Sequence, residues 1–407
     1  MDVKTNMGML SRTAAVFLAA LFCGTPAPGA DEGPGTYFDP PEGTANVTVK
    51  TSARSGAVRK TVAFLGGSIT EMDGFRPRVM KALRERYPQI DFVEIAAGLS
   101  STCSDAGAFR IEEDVLAKGT PDFFIVEAAV NDEQDGHFSE TRSIRGMEGA
   151  VRHVLLRNPA CAVVVALMVN RRQYDELMSG VTPLQYVAHA KVAAHYGAAL
   201  ADVGSALAAS ARSGAMDWET YRDCHPSPAG CALGARTVVE AVTRVFDPRT
   251  AARPRTLPPP LDAKSYFRGR FLSRDEVRLG EGWTFSRPDW NAIAGGKRAY
   301  FTVGPAIWSE RPGAELRFSF SGDAAGLFLT AGPDAGDMEV SIDGGPCRRE
   351  RLRANYGTLH YPYVHLLADG LREGTHEVCV RVVPAARGNG KAGTAVRIHR
   401  VCVNGSK

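Results

Sequence analysis

Ser68 lies in the stretch FLGGSIT, where the apolar run Thr61-Val62-Ala63-Phe64-Leu65 gives way to two glycines and a hydroxyl. A serine hydroxyl is a poor nucleophile until a base takes its proton, and an imidazole titrates in the range that allows this. His225, in YRDCHPSPAG, is a candidate base. Asp223, two residues earlier, is a carboxylate of the kind that fixes a histidine tautomer and stabilises its cation. An acyl oxyanion then needs donors aimed at it, from backbone N–H groups or an amide side chain. Gly98, Ser100 and Ser101 in AAGLSSTCS and Asn131 in AAVND are candidates. Each residue alone is an ordinary turn residue; the ordered set reads as apparatus for acyl transfer through a serine.

The setting of these residues is regular. Between residues 60 and 245, strand-like and helix-like runs alternate. TVAFLGG, DFVEIAAG (91–98), FFIVEAAV (123–130), CAVVVALMV and AALADV read as strands. FRPRVMKALRERYP (75–88), AFRIEEDVLAKG (108–119), SIRGMEGAVRHVLLRNP, PLQYVAHAKVAAHYG and SPAGCALGARTVVEAVTRVF read as helices, the last capped by Ser227. Nearly continuous apolar strands alternating with helices predict a parallel sheet covered on both faces. Ligands bind such sheets at the carboxyl ends of the strands, where the candidate residues fall. Residues 246–262, FDPRTAARPRTLPPPLD, follow neither period and read as a linker. Residues 263–407 change to short alternating runs split by Gly, Asp and Pro, the pattern of an all-β sandwich.

In order, spacing and strand context, GGSIT, AAGLSSTCS, AAVND and DCHPSPAG resemble the four blocks of the GDSL or SGNH hydrolases, over roughly residues 60–245. The resemblance implies a flavodoxin-like three-layer α/β sandwich with a parallel sheet. It implies Ser68 as nucleophile and, through its own N–H, as one oxyanion donor. It implies Asn131 as the side-chain donor, His225 as base and Asp223 as its orienter. Three departures stand out. The glycine usual at the second oxyanion position is replaced by Ser101, with Gly98 three residues earlier, so either residue is the backbone donor. Ala129 stands where glycine is usual. The family's Asp-x-x-His becomes Asp223-Cys224-His225, with Arg222 at the usual aspartate position. Asp223 then reaches the imidazole through a different turn, or another acceptor does so and Ser68 works with His225 as a dyad. No cofactor is implied, and no metal: Cys224 and Cys231 near His225 lack further ligands. Glu71, Arg110 and Glu127 read as salt bridges or loop anchors, with substrate contact as the alternative. Trp218 and Tyr221 either wall a sugar site or are buried.

The chain has 407 residues, enough for about two domains. Its net charge of +3 gives no reason to invoke nucleic acid. Basic Lys4 and Arg12, the apolar core of TAAVFLAALFCGTPAPGA (13–30) and its small-residue exit read as a signal peptide over 1–30, followed by an extension over 31–59. This predicts export to the periplasm or beyond, with no membrane insertion after the signal is removed. Of eight cysteines Cys23 leaves with the signal, and the other seven read mostly as buried free thiols. The C-terminal segment resembles jelly-roll modules appended to secreted carbohydrate-active enzymes. Trp283, Trp290, Trp308, Tyr356, Tyr361 and Tyr363 are available there to stack on sugars or to fill a core. The expected function is a secreted serine esterase removing a small acyl group, acetyl foremost, from a carbohydrate or another small ester. An O-acyltransferase using the same serine, and a carbohydrate-binding protein with a decayed site, are the alternatives.

Overall fold

The computed structural model describes residues 48–50, 57–249, 253–352, 357–385 and 393–406. The expected signal peptide lies outside them, as does Tyr356. The first part of the described chain forms strands β1 (Thr48–Lys50), β2 (Val58–Gly66), β3 (Ile90–Gly98), β4 (Phe123–Glu127), β5 (Ala162–Leu167) and β6 (Ala199–Asp202). They make one sheet in the order β1-β3-β2-β4-β5-β6. β2 to β6 pair in parallel, and β1, from the stretch read as an extension, adds an antiparallel edge against β3.

Helices cover both faces. They are α1 (Ser68–Glu71), α2 (Phe75–Arg86), α3 (Ser104–Ile111), α4 (Ala129–Gln134), α5 (Glu140–Arg157), α6 (Arg171–Met178), α7 (Leu184–Tyr196), α8 (Val203–Arg212), α9 (Trp218–Tyr221) and α10 (Pro228–Val245). One apolar layer joins Val79 and Leu83 of α2, Leu207 of α8 and Val238 and Val242 of α10 to Val62, Phe64 and Val164 of the sheet. The other joins Ile111, Val151, Val154 and Val192 to Ala63, Leu65, Val163 and Val165. Alternate residues of β2 and β5 therefore serve opposite cores, which is why those strands read as unbroken apolar runs. Register sets Gly66 beside Gly98 and Leu65 beside Val126, so the chain leaves β2, β3 and β4 at one rim.

Two expected elements differ in extent. The run 108–119 becomes α3 starting at Ser104, continued by a π-helical turn over Glu112–Leu116. The run 123–130 is strand only to Glu127, and Asn131 rides on the short helix α4. The strand stops where the Glu127 carboxylate turns inward to accept the Gly67 N–H at 2.9 Å.

Among the described residues the second part is antiparallel, save the short pairing of Gly296 and Lys297 with Leu359 and His360 and one isolated bridge between Ala335 and Ala395. Its strands are β7 (Gly269–Phe271), β8 (Val277–Leu279), β9 (Thr284–Ser286), β10 (Gly296–Lys297), β11 (Ala306–Ser309), β12 (Glu315–Ala331), β13 (Asp337–Ile342), β14 (Arg348–Arg351), β15 (Leu359–Val383) and β16 (Val396–Asn404). β12 and β15 are long enough to serve two sheets. The first half of β12 pairs β8 and the last part of β15, while its second half pairs β16 and the first part of β15. The switch falls at the register shift between Gly322 and Ala324, the device by which strands turn a sandwich corner. Trp283, Trp290, Tyr361 and Tyr363 are buried, so these four aromatics are core and not a sugar platform. Trp308 is half-buried and donates Nε1–H to Ser286 Oγ at 3.1 Å.

The two parts share a face. Phe109 of α3 stacks on Tyr266 with ring centroids 5.1 Å apart, among Leu99, Ala106, Phe271, Phe301 and Phe328. Around this apolar contact, Arg142 bonds Asp105 and the Val364 carbonyl, and Arg145 bridges Asp262 and Asp369. The proline-rich stretch after residue 252 has no regular element but lies along the α/β part: Arg255 bonds the Tyr196 and Cys161 carbonyls, and Arg152 bonds that of Pro258. Among the described residues no disulfide joins the seven cysteines from Cys103 to Cys402. Among the described residues no helix is long and apolar enough to cross a membrane.

Candidate active site

Ser68 is the first residue of α1, immediately after β2, and His225 lies in the loop between α9 and α10. The fold brings them together: Ser68 Oγ is 2.7 Å from His225 Nε2. With Nδ1 protonated, Nε2 accepts the serine hydroxyl, the arrangement a general base requires. The His225 side chain is 24% exposed, so the pair lies near the surface and not in the core.

Asp223 is close but differently engaged. Its Oδ1 accepts the backbone N–H of His225 at 2.6 Å and stands 4.0 Å from Nδ1. Cys224 Sγ is 3.6 Å from the same nitrogen. The shortened spacing has thus turned the carboxylate toward the loop backbone. Arg222, in the usual aspartate place, has φ of 94°, a left-handed backbone rare for a side-chain-bearing residue, and donates to the His225 carbonyl at 3.0 Å. Ligand-type atoms of Asp223, Cys224 and His225 lie within 4.8 Å of one another on the Nδ1 side of the ring, and a metal bound to Nδ1 would leave the ring proton on Nε2 and deny Ser68 its base.

The backbone distinguishes the two candidate donors at the second rim loop. Gly98 is the last residue of β3, packed so tightly beneath α1 that a Cβ would fall 2.2 Å from the Glu71 nitrogen. Ser101 has φ of 65°, the left-handed conformation that glycine adopts freely. The residue replacing the family glycine therefore keeps a glycine-like backbone. Glu71 holds the loop by accepting from the N–H of Ser100 at 2.7 Å and from its hydroxyl. Burial pushes the Glu71 carboxyl above its ordinary range, partly countered by the Ser100 bonds.

Asn131 is buried over Gly67, where a Cβ would meet its Oδ1 at 2.1 Å. Nδ2 donates to Asp135 Oδ2 at 2.6 Å, one turn along. Asp132 beside it accepts from the Ser104 N–H and hydroxyl, both at 2.7 Å, and meets His189 Nε2 at 3.0 Å, which ties α4 to α3 and α7. Trp218 and Tyr221 are buried beneath the histidine loop and do not wall the cleft.

Two contributors escaped the sequence reading. Asp135 is four residues from Asn131, a helical spacing that a known α4 would have exposed. Arg298 comes from the second part of the chain, and its Nη2 lies 3.4 Å from Ser101 Oγ. Nothing local in sequence links positions separated by 197 residues.

These charges set the base. Burial lowers the His225 pKa from its ordinary 6.5, and Arg298 and Arg222 lower it further, while Asp223 and Asp135 raise it. A base with a lowered pKa stays neutral, and so competent, to lower pH. The acid limb of kcat/KM should therefore fall below pH 6.5. Arg298→Ala should move that limb up, and Asp223→Asn should move it down with a smaller loss of rate than His225→Ala. Coincident limbs for the two variants would remove both residues from the field of the base.

The family profile described as the GDSL-like Lipase/Acylhydrolase family matches residues 64–233. A search of curated proteins returns no match. Among solved structures, a two-domain esterase (CEX) active on acetylated mannans, co-crystallised with mannopentaose, is 24% identical with a TM-score of 0.66, covering 86% of this chain and 92% of its own. The same esterase without that ligand gives 23% and 0.67 over the same shares. An acetylxylan esterase from Geobacillus stearothermophilus is 19% identical with a TM-score of 0.36, covering 46% of this chain and 95% of its own. At these identities the likeness is one of fold, and for the two-domain esterase it spans both parts of the chain. Residues 64–233 are accordingly a GDSL-like lipase/acylhydrolase domain, of the serine carboxylic ester hydrolase class, followed by an all-β antiparallel domain.

Proposed function

We propose that the chain is an exported carbohydrate esterase that removes a small acyl group, acetyl foremost, through an acyl-enzyme on Ser68. The observation that carries this reading is the 2.7 Å contact between Ser68 Oγ and His225 Nε2. His225 takes the hydroxyl proton as Ser68 Oγ attacks the ester carbonyl. The tetrahedral oxyanion is held by the N–H groups of Ser68 and Ser101 and by the Asn131 amide. The carbonyl re-forms, the bond to the sugar oxygen breaks, and His225 hands its proton to that oxygen. Water then enters, gives a proton to His225 and attacks the acyl-serine; the adduct collapses, His225 returns the proton to Ser68 Oγ, and the acid and free Ser68 are released.

The substrate class is supported by the fold shared with an esterase active on acetylated mannans. Arg298, reaching the rim from the β domain, adds a cation beside the cleft where sugar hydroxyls would lie. Export rests on the pattern of residues 13–30. A decayed site is disfavoured, because the shortened Asp-x-His spacing still delivers the imidazole to the serine.

The test compares acetate release from acetylated manno-oligosaccharides with hydrolysis of p-nitrophenyl esters of increasing acyl length. Acetyl should be preferred over a butyryl-length ester by about tenfold or more, the discrimination a pocket achieves per few methylenes. Equal rates across chain lengths would end the small-acyl reading. Turnover of p-nitrophenyl acetate with no release from the oligosaccharide would end the carbohydrate reading. Acyl transfer to added acceptor sugar, at the expense of free acetate, would assign the transferase instead.

A further inference from the structure

The peptide unit between Gly66 and Gly67, one residue before Ser68, is gripped from both sides by buried charged side chains. Its carbonyl accepts from Arg110 Nη2 at 3.0 Å and from the Leu99 N–H at 2.9 Å. Its N–H donates to Glu127 Oε1 at 2.9 Å. Arg110 and Glu127 are each 1% exposed. Arg110 also donates to Asp114 Oδ2 at 2.8 Å and to the Ala97 carbonyl at 2.6 Å, and Glu127 Oε1 also accepts from Thr70 Oγ1 at 2.8 Å. One polar atom of each grip is left over. Arg110 Nε and Glu127 Oε2 are buried with no hydrogen-bond partner among the described residues. Both residues line a single cavity of about 10 Å³, with Gly66, Thr102 and Ser104 also in its wall.

We propose that Arg110 and Glu127 act as a paired clamp that fixes the plane of the Gly66–Gly67 peptide and so aims Ser68 at His225. The proposal rests on the reading of Ser68 as nucleophile. Its physical reason is the glycine pair itself. Two glycines in a row have wide backbone freedom, and a rotation of the peptide between them would swing both the Ser68 hydroxyl and the Ser68 N–H. Opposed donors and acceptors on that one peptide remove the freedom at the point where the chain passes from strand to helix. Arg110 and Glu127 touch neither nucleophile nor base, so both are positioning residues. Burial raises the Glu127 pKa, with the Thr70 and Gly67 bonds opposing it.

The test is a substitution series assayed with p-nitrophenyl acetate. Glu127→Gln keeps an acceptor toward Gly67 and should hold kcat within about fivefold of wild type, whereas Glu127→Ala should lower it about thirtyfold or more, since a misplacement near 1 Å costs up to about a hundredfold. KM should stay within about threefold in both, because a clamp on the nucleophile leaves binding untouched. Arg110→Met combined with Glu127→Ala should lose no more than about threefold beyond the worse single variant, as expected for two sides of one device. Folding is checked by circular dichroism and thermal melting. A folded Glu127→Ala protein with kcat within about threefold of wild type, or equal losses in the Gln and Ala variants, overturns the clamp. If Glu127→Ala does not fold, Glu127→Asp decides: it withdraws the oxygen from Gly67 and must lower kcat about tenfold or more, and a smaller loss overturns the proposal. Fluorophosphonate labelling of the wild type runs alongside. No label on Ser68 refutes the nucleophile reading, whereas a label with unaffected Glu127 variants refutes the clamp alone.

Discussion

Ser68→Ala is expected to lower kcat/KM for an acetyl ester by about 10⁴-fold or more, leaving only the contribution of binding and oxyanion donors. The size follows from geometry. The hydroxyl already lies 2.7 Å from the base, so its removal abolishes the covalent route and does not merely slow it. His225→Ala should be about as severe, and the double variant no worse than either single one, because nucleophile and base act as one unit. Fluorophosphonate should label the wild type at Ser68 and leave Ser68→Ala and His225→Ala unlabelled. Retention of more than about a tenth of wild-type turnover by a folded Ser68→Ala protein would refute the mechanism through Ser68.

The legible parts of the site were those fixed by short-range chemistry. Ser68 was visible because an apolar strand ended on Gly66-Gly67, and strand ends in parallel sheets are where hydroxyls are presented. His225 was visible through block order, and the three-layer fold through strands whose neighbours serve opposite cores. What escaped depended on local backbone or on distance. The choice between Gly98 and Ser101 could not be made from residue type; the two differ in backbone, and Ser101 is the one with a positive φ. Asp223 was read as the orienter of His225; its Oδ1 accepts the loop N–H at 2.6 Å and stands 4.0 Å from Nδ1, a geometry that the spacing alone did not give. α6 and α8 went unmarked, although α6 carries a capping box between Asn170 and Gln173. The tryptophans of the β part were read either as sugar platforms or as core, and Trp283 and Trp290 are buried. Arg298 had no signal at all, because it reaches the site only through the docking of α3 on β7 and its neighbours.

Asn131→Ala is expected to lower kcat by about 10²- to 10³-fold, the loss typical of one oxyanion donor, with little change in KM. The Asn131 amide lies against Gly67, so close that a Cβ there would meet Oδ1 at 2.1 Å and Nδ2 at 3.2 Å. It is therefore beside the peptide that leads into the Ser68 N–H, where the tetrahedral oxygen would develop. One Nδ2 hydrogen goes to Asp135 Oδ2 at 2.6 Å, which orients the amide and leaves the other hydrogen for the oxyanion. Asn131→Asp should be at least as damaging as Ala, because it sets a carboxylate where negative charge must form. Asp135→Asn should cost far less, since it weakens the orientation of the donor without removing it. A KM that rises in step with the loss in kcat/KM, at unchanged kcat, would place Asn131 in ground-state binding and take it out of the oxyanion site. An Asp135→Asn loss equal to that of Asn131→Ala would mean that the carboxylate, not the amide, carries the effect.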